Sequence, residues 1–133
     1  MYLIMLDEKE KEAFLGIAYA LTSADGSFSD EEKSMISAYC DEMAIRDVDS
    51  PIRSMDESVE IIRTSSSMQV KKIVIFEIVG LALVDGNYDE SERELIVKIE
   101  KDFDISAGFS DDCEKLIREY LDLQSNINRL VIE

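Results

Sequence analysis

Apolar residues recur at three- and four-residue steps along most of the chain, which is the period of amphipathic α-helices. The first such stretch runs from Glu10 to Ala24. A second follows Ser29, which with Glu32 forms the Ser-x-x-Glu box that commonly begins a helix. A short third helix is expected before the sequence TSSS at 64–67. Since no alternating strand pattern competes with these stretches, the sequence predicts an all-α protein, a compact bundle of about six helices.

The fourth stretch, which extends to about Val84, is apolar almost all the way round. We expect such a helix at the centre of the bundle, surrounded by the others. Gly80 within it costs about 1 kcal/mol relative to alanine, and close approach of a neighbouring helix is expected to offset that cost. Asp89 and Glu92 predict the start of a fifth helix, and Ser110 is the predicted N-cap of a sixth. The apolar residues of the sixth helix are Cys113, Leu116, Ile117, Tyr120, Leu121 and Ile127.

The sequence contains two copies of one predicted helix-loop-helix unit. Residues Leu21 to Ile45 align without a gap on Leu81 to Ile105, and the loops read ADGSFSDEE and VDGNYDESE. Two such units commonly pack as a pseudo-symmetric pair because neither can bury its apolar face alone. We predict a single domain over 1–133, with repeat one at about 10–45, a connector and short helix at 46–66, repeat two at about 67–105 and a C-terminal helix at 110–132.

The charge of the chain excludes several classes of partner. Thirty acidic and fourteen basic residues give a formal net charge of -16, which repels nucleic acid and anionic lipid headgroups. The most apolar segment, Ile73 to Val84, contains Glu77 and is too short to span a bilayer. The N-terminus has neither the basic region nor the cleavage site of a secretory signal. We therefore expect a cytoplasmic protein with no nucleic-acid partner and no direct membrane insertion.

The sequence lacks the usual residues of an enzyme active site. It has no histidine, no nucleophile elbow and no phosphate-binding glycine loop. Cys40 and Cys113 fall on apolar helix faces and are predicted to be buried, reduced thiols. Burial is expected to raise the pKa of Glu77, which we place at the helix edge or beside Lys72 or Lys98. We predict neither an enzyme nor an organic cofactor.

The repeated loop has two readings from the residues alone. As a turn and cap, it explains the glycine, the aromatic residue as a plug between the helices, and the final Glu, but it does not require Asp25 or Asp85. As the second half of an EF-hand, it has the glycine and the last Glu in place. The earlier ligand positions fail, because they are occupied by Leu21 and Ser23 in the first copy and by Leu81 and Leu83 in the second.

The runs ALTSADGSFSDEEKSMI and LALVDGNYDESERELI resemble the signature of the tellurite-resistance TerB-like domain family. The resemblance covers Phe14 to Ile45 and Val70 to Ser106, and the first copy departs from it at Thr22 and Ser23. It implies an all-α bundle with an acidic face, often proposed to hold a divalent metal, in bacterial stress responses. The acids that this family implies as metal ligands fall on Asp25, Glu32, Asp85 and Glu92.

Two functions remain open from the sequence. The first is weak binding of a divalent cation at these carboxylates, with calcium or magnesium favoured over zinc because oxygen ligands prefer hard ions. With few ligands, the expected Kd is on the order of 0.1 to 1 mM. The alternative is a non-metal acidic adaptor whose Asp-Gly loops are purely structural and whose partner is a basic protein. Homodimerisation is also left open.

Overall fold

The computed structural model describes residues 1–24, 28–47, 50–84, 86 and 88–133. Over these residues the chain forms only helices, so the predicted all-α class is confirmed. A short 3-10 helix at Leu3–Met5 comes first. The α-helices that follow are α1 (Glu8–Thr22), α2 (Asp30–Glu42), α3 (Met55–Ser65), α4 (Met68–Leu83), α5 (Glu90–Asp102) and α6 (Phe109–Ile132).

Helix α4 lies at the centre of the bundle, as its uniformly apolar sequence predicts. It contacts each of the other five α-helices, and Ile75, Ile78 and Leu81 are fully buried in the core. Among the described residues, no helix combines the length and apolar character needed to cross a membrane.

The close approach of helices occurs at Gly16 of α1 and not at Gly80 of α4, so the expectation for Gly80 is wrong. The atoms nearest to a methyl group at Gly80 would be Ile117 Cδ1 and the Tyr39 hydroxyl, each at the ordinary contact distance of 4.0 Å. A methyl group at Gly16 would collide with Ser58 Oγ and lie only 2.9 Å from the Arg53 carbonyl oxygen. This glycine therefore lets α1 pack against the start of α3.

Side-chain caps begin five of the helices. The capping residue accepts a hydrogen bond from the backbone N–H three residues later, which satisfies one of the donors left over at a helix start. These residues are Asp7, Ser29, Ser54, Ser67 and Asp89. Helix α6 differs. Its N-cap is Gly108, with a φ of 93°, and the predicted cap Ser110 lies inside the first turn. That prediction is wrong because Ser110 bonds to Glu100 of α5 instead.

The second helices of the two sequence repeats have the same local structure. Helices α2 and α5 both contain thirteen residues, and their bounds differ by sixty positions. Each is followed by a residue with positive φ, Ala44 at 57° and Asp104 at 58°. The next backbone N–H then bonds back to the helix, from Ile45 to Cys40 at 3.0 Å and from Ile105 to Glu100 at 3.1 Å. The pseudo-symmetric packing of the two complete units stays a prediction.

Candidate functional site

The predicted site lies where each Asp-Gly loop meets the following helix. Asp25 and Asp85 are outside the described residues. Glu32 and Glu92 are at the third position of α2 and of α5, with only 2% of each residue exposed. Half of the predicted ligand set therefore has a defined geometry.

Both glutamates complete capping boxes. The Ser29 backbone N–H donates to Glu32 Oε1 at 2.9 Å, while Ser29 Oγ accepts from the Glu32 backbone N–H at 3.1 Å. In the second copy, the Asp89 backbone N–H donates to Glu92 Oε1 at 3.2 Å, and Asp89 Oδ1 accepts from the Glu92 N–H at 2.9 Å. The capping interpretation of the loop sequence is confirmed. These two carboxylates already have a structural role that accounts for their burial.

An aromatic ring lies beside each capping box, with a cation over its face. Lys33 Nζ is 5.5 Å from the centre of the Phe28 ring, and the Arg93 guanidinium carbon is 4.1 Å from the centre of the Tyr88 ring. Phe28 also meets Tyr19 of α1 edge to face, with ring centres 5.9 Å apart. Burial raises the pKa of Tyr88 to about 12. Both rings are half-buried at the junction of the two helices, where the sequence predicts a plug.

Arg93 also connects the second copy to α6. Its two terminal nitrogens donate to Glu114 Oε1 at 2.8 Å and Oε2 at 3.0 Å, a bidentate pair. Arg118 donates to the same carboxylate at 2.9 Å. The hydrogen bond from Arg93 is the main cause that holds the pKa of Glu114 below its ordinary value. The sequence does not predict this cluster, although the repeat aligns Lys33 with Arg93 and so indicates a cation at the same position of both copies.

The described residues do not by themselves make a metal site. Asp30, Glu31 and Glu90 are exposed in the first turns of α2 and α5, and their oxygen atoms suit a hard cation. Within the part of the chain that the structure describes, however, no group of three or more histidine, cysteine, aspartate or glutamate side chains is placed to hold an ion. Binding at Glu32 and Glu92 therefore depends on Asp25 and Asp85, and stays a prediction.

Glu77 has a different partner from those expected. It is 5% exposed, and burial raises the pKa of its carboxyl group, as predicted. The Met1 amino nitrogen lies 3.0 Å from Glu77 Oε2 and 2.9 Å from Glu42 Oε1. The expected pairing with Lys72 or Lys98 is wrong, because the cation that pairs with Glu77 is the Met1 amino group. No helical periodicity could have shown this contact.

Both cysteines are buried thiols, as predicted. Burial raises the pKa of Cys113 to about 11, so its thiol is protonated at neutral pH. Since the thiolate is the nucleophile and the redox-active form, this side chain is poorly suited to covalent chemistry.

Comparison with known proteins establishes the fold. No protein-family model matches the sequence, and no curated protein sequence matches it either. The crystal structure of a tellurite resistance protein from Nostoc punctiforme PCC 73102 is similar, with a TM-score of 0.68 and 19% sequence identity over 97% of this chain and 84% of that chain. The TerB-like resemblance of the sequence is thus confirmed at the level of the fold. The chain has the fold of a tellurite resistance protein.

Proposed function

We propose that this protein is an acidic binding module in a tellurite-resistance-like stress response, and that it acts by binding a cationic ligand and not by reacting with tellurite. The net charge of -16 repels an oxyanion such as tellurite. The thiols that could reduce tellurite are buried, and that of Cys113 is protonated. A role in resistance is then exerted through a partner.

The capping boxes favour an adaptor whose Asp-Gly loops are structural. Glu32 and Glu92 are directed at the backbone of their own helices, which leaves the exposed acids at the starts of α2 and α5 as the charged surface next to the loops. Exposed carboxylates attract a basic protein mainly by long-range charge, so binding should weaken steeply as salt rises.

A lysine-rich peptide is a direct probe of this surface. We expect the variant Asp30→Lys/Glu31→Lys to bind it at least tenfold more weakly than the control Asp41→Lys/Asp56→Lys, which makes the same change of charge at other exposed positions. Isothermal titration at two salt concentrations measures both affinities. Equal loss in the two variants would show that only total charge matters, and binding that persists in strong salt would contradict electrostatic docking.

Weak binding of calcium or magnesium is the second candidate. It is favoured by the recurrence of exposed acids, Asp30 and Glu31 after the first loop and Glu90 after the second, beside the predicted ligands. Titration of calcium, magnesium and manganese into chelator-treated protein tests it by heat and by melting temperature. If millimolar ion gives no binding heat and no rise in melting temperature, the hypothesis of cation binding is ruled out.

Two pairs of substitutions locate the ion if it binds. Glu32→Gln and Glu92→Gln keep an acceptor for the cap but remove the charge that a cation needs. Asp25→Asn and Asp85→Asn remove the charge of the predicted ligands in the loops. Unchanged affinity in all four variants would place the ion elsewhere.

A further inference from the structure

The last part of α6 extends beyond the bundle. Cys113 and Ile117 pack on the core, but every residue from 118 to 133 is exposed. We call residues 118–132 the α6 tail. Its exposed apolar side chains include Leu130, of which 85% is accessible to solvent. The apolar spacing predicts this tail as a helix, yet none of the residues that the structure describes covers its apolar side chains.

The composition of the tail favours a covering partner. Asn126, Ile127, Asn128, Val131 and Ile132 belong to the residue types with poor intrinsic helix propensity. Helices that do not pack on a partner are marginal in water at this length. The apolar face must therefore be buried for the tail to remain a stable helix.

The spacing of that face fits another helix. Leu116, Tyr120, Leu123, Ile127 and Leu130 follow one another at alternating steps of four and three residues. This is the a/d pattern of a coiled-coil seam, with leucine at each d position. The partner that such a seam accommodates is an α-helix with a matching seam.

An apolar groove flanks the beginning of the seam. It encloses about 450 Å³ and lies between α2, α4 and α6, with Tyr39, Phe76, Leu83, Leu116, Ile117 and Leu121 among its lining residues. Glu42 lies at the groove as well. A helix that docks on the seam would also cover this groove.

The charge distribution singles out a second copy of the chain as the occupant. Residues 123–132 contain no acid and one cation, Arg129, in a protein of net charge -16. Over the whole tail Arg118 and Arg129 balance Glu119 and Asp122, so two tails can meet without the net repulsion that opposes contact elsewhere on the surface.

We propose that two copies of this chain pair through their α6 tails in an antiparallel arrangement, so that each tail lies along the seam and groove of the other copy. With a positions facing d positions, Tyr120 packs on Leu123 and Leu116 on Ile127 of the second copy. The two Cys113 positions are then about 25 Å apart along the helix axis, from 1.5 Å per residue. The antiparallel arrangement therefore places the two acidic bundles towards opposite ends of the paired tails, whereas parallel pairing would place them side by side, where their like charges repel most.

The available area predicts a weak dimer. Six exposed apolar side chains on or beside the seam contribute roughly 100 Å² each, or about 600 Å² per copy. The total of about 1,200 Å² is at the lower end for specific interfaces. We expect a Kd on the order of 10 to 100 µM.

Sedimentation equilibrium of the full chain from about 5 to 500 µM tests the proposal. Leu130→Glu should weaken dimerisation at least tenfold, whereas the control Ser125→Glu, which adds the same charge on the opposite face of the tail, should leave it within about twofold. Both residues are fully outside the core, and circular dichroism with thermal melting checks that the bundle is intact. A monomer at all concentrations, or equal weakening by both variants, would overturn the proposal.

Two further measurements separate the arrangement from its competitors. A nitroxide at Glu133→Cys should give a distance of about 35 Å between copies in the antiparallel pair, against about 10 Å for parallel helices. The short distance would contradict the proposed arrangement. Binding of monomeric protein to phosphatidylcholine vesicles, lost in Leu130→Glu, would show that the tail is a membrane-surface helix and would also overturn the proposal.

Discussion

Glu100 on α5 holds the first turn of α6 through Ser110. Glu100 Oε1 accepts the Ser110 backbone N–H at 2.8 Å, and Oε2 accepts the Ser110 hydroxyl at 3.2 Å. Both residues are buried, at 3% exposure. The carboxylate thus takes the place of an N-cap side chain for α6, whose own N-cap is a glycine.

Replacing Glu100 by alanine should destabilise the protein by about 1–3 kcal/mol, since a buried N–H and a buried hydroxyl each lose their acceptor. Urea denaturation followed by circular dichroism measures the change in the free energy of unfolding. The control Lys101→Ala alters an exposed neighbour and should stay within about 0.5 kcal/mol of the wild type. Equal stability of Glu100→Ala and Lys101→Ala would contradict the role assigned to Glu100.

The contrast between Ser29 and Ser110 shows how far the sequence can predict this fold. Both hydrogen bonds of the capping box join residues three positions apart, Ser29 and Glu32, so the sequence motif alone predicts them. Ser110 has the same chemistry, but its acceptor is ten residues away on another helix, and Gly108 supplies the turn. Local patterns therefore predict helix starts only where no tertiary partner competes.

The candidate site divides in the same way. The positions of Glu32 and Glu92 and their capping role follow from the sequence repeat, because both depend on short-range hydrogen bonds. The contact of Met1 with Glu77 spans seventy-six positions and could not be predicted from periodicity. The exposure of the α6 tail could not be predicted either. An apolar stripe has the same spacing in the sequence whether it is buried or exposed to solvent.

Gly16→Ala should be destabilising although alanine is the better helix former. The new methyl group collides with Ser58 Oγ and approaches the Arg53 carbonyl oxygen to 2.9 Å. We expect a net loss of about 1–3 kcal/mol in the free energy of unfolding, because the overpacking outweighs the gain in propensity of about 1 kcal/mol. In a protein that already carries Ser58→Gly, the substitution Gly16→Ala should cost less stability than it does in the wild type, because the hydroxyl group that it would strike is gone. An equal cost in both proteins would show that the strain lies elsewhere.

Gly80→Ala should have the opposite effect. The added methyl group meets Ile117 and Tyr39 at ordinary contact distance, so the helix gains propensity without a collision. An increase of up to about 1 kcal/mol is expected. Thermal and urea unfolding should agree on its sign, and a loss of stability would mean that α4 needs the glycine for a closer approach than the structure shows.

The capping boxes predict different effects for two substitutions of one residue. Glu32→Ala removes the acceptor for the Ser29 N–H and should cost about 1 kcal/mol. Glu32→Gln keeps an oxygen acceptor and should cost distinctly less. Glu31→Ala, at an exposed neighbouring position, serves as the control in urea unfolding. If Gln and Ala destabilised the protein equally, the charge and not the hydrogen bond would be the important property of Glu32.

Stability should fall as the pH rises above about 8, the ordinary pKa of a terminal amine. Burial alone lowers the pKa of the Met1 amino group, but its hydrogen bonds to Glu42 and Glu77 outweigh burial and raise that pKa. A raised folded-state pKa contributes stability that is complete below the unfolded pKa and is lost as the pH rises through the folded value. The loss should be below about 1 kcal/mol because the amine is half-exposed.

Melting temperatures between about pH 7 and pH 9.5 measure this loss, and Glu77→Gln should reduce it by weakening the hold on the amine. The pKa of Cys113, raised by burial to about 11, produces a decline of the same sign, but both proteins share it. The difference between the melting-temperature curves of the wild type and Glu77→Gln therefore reports the ionisation of the Met1 amino group. Glu31→Gln makes the same change of charge at an exposed site and should keep the wild-type curve. Parallel curves for Glu77→Gln and the wild type would mean that Met1 and Glu77 are not coupled in solution.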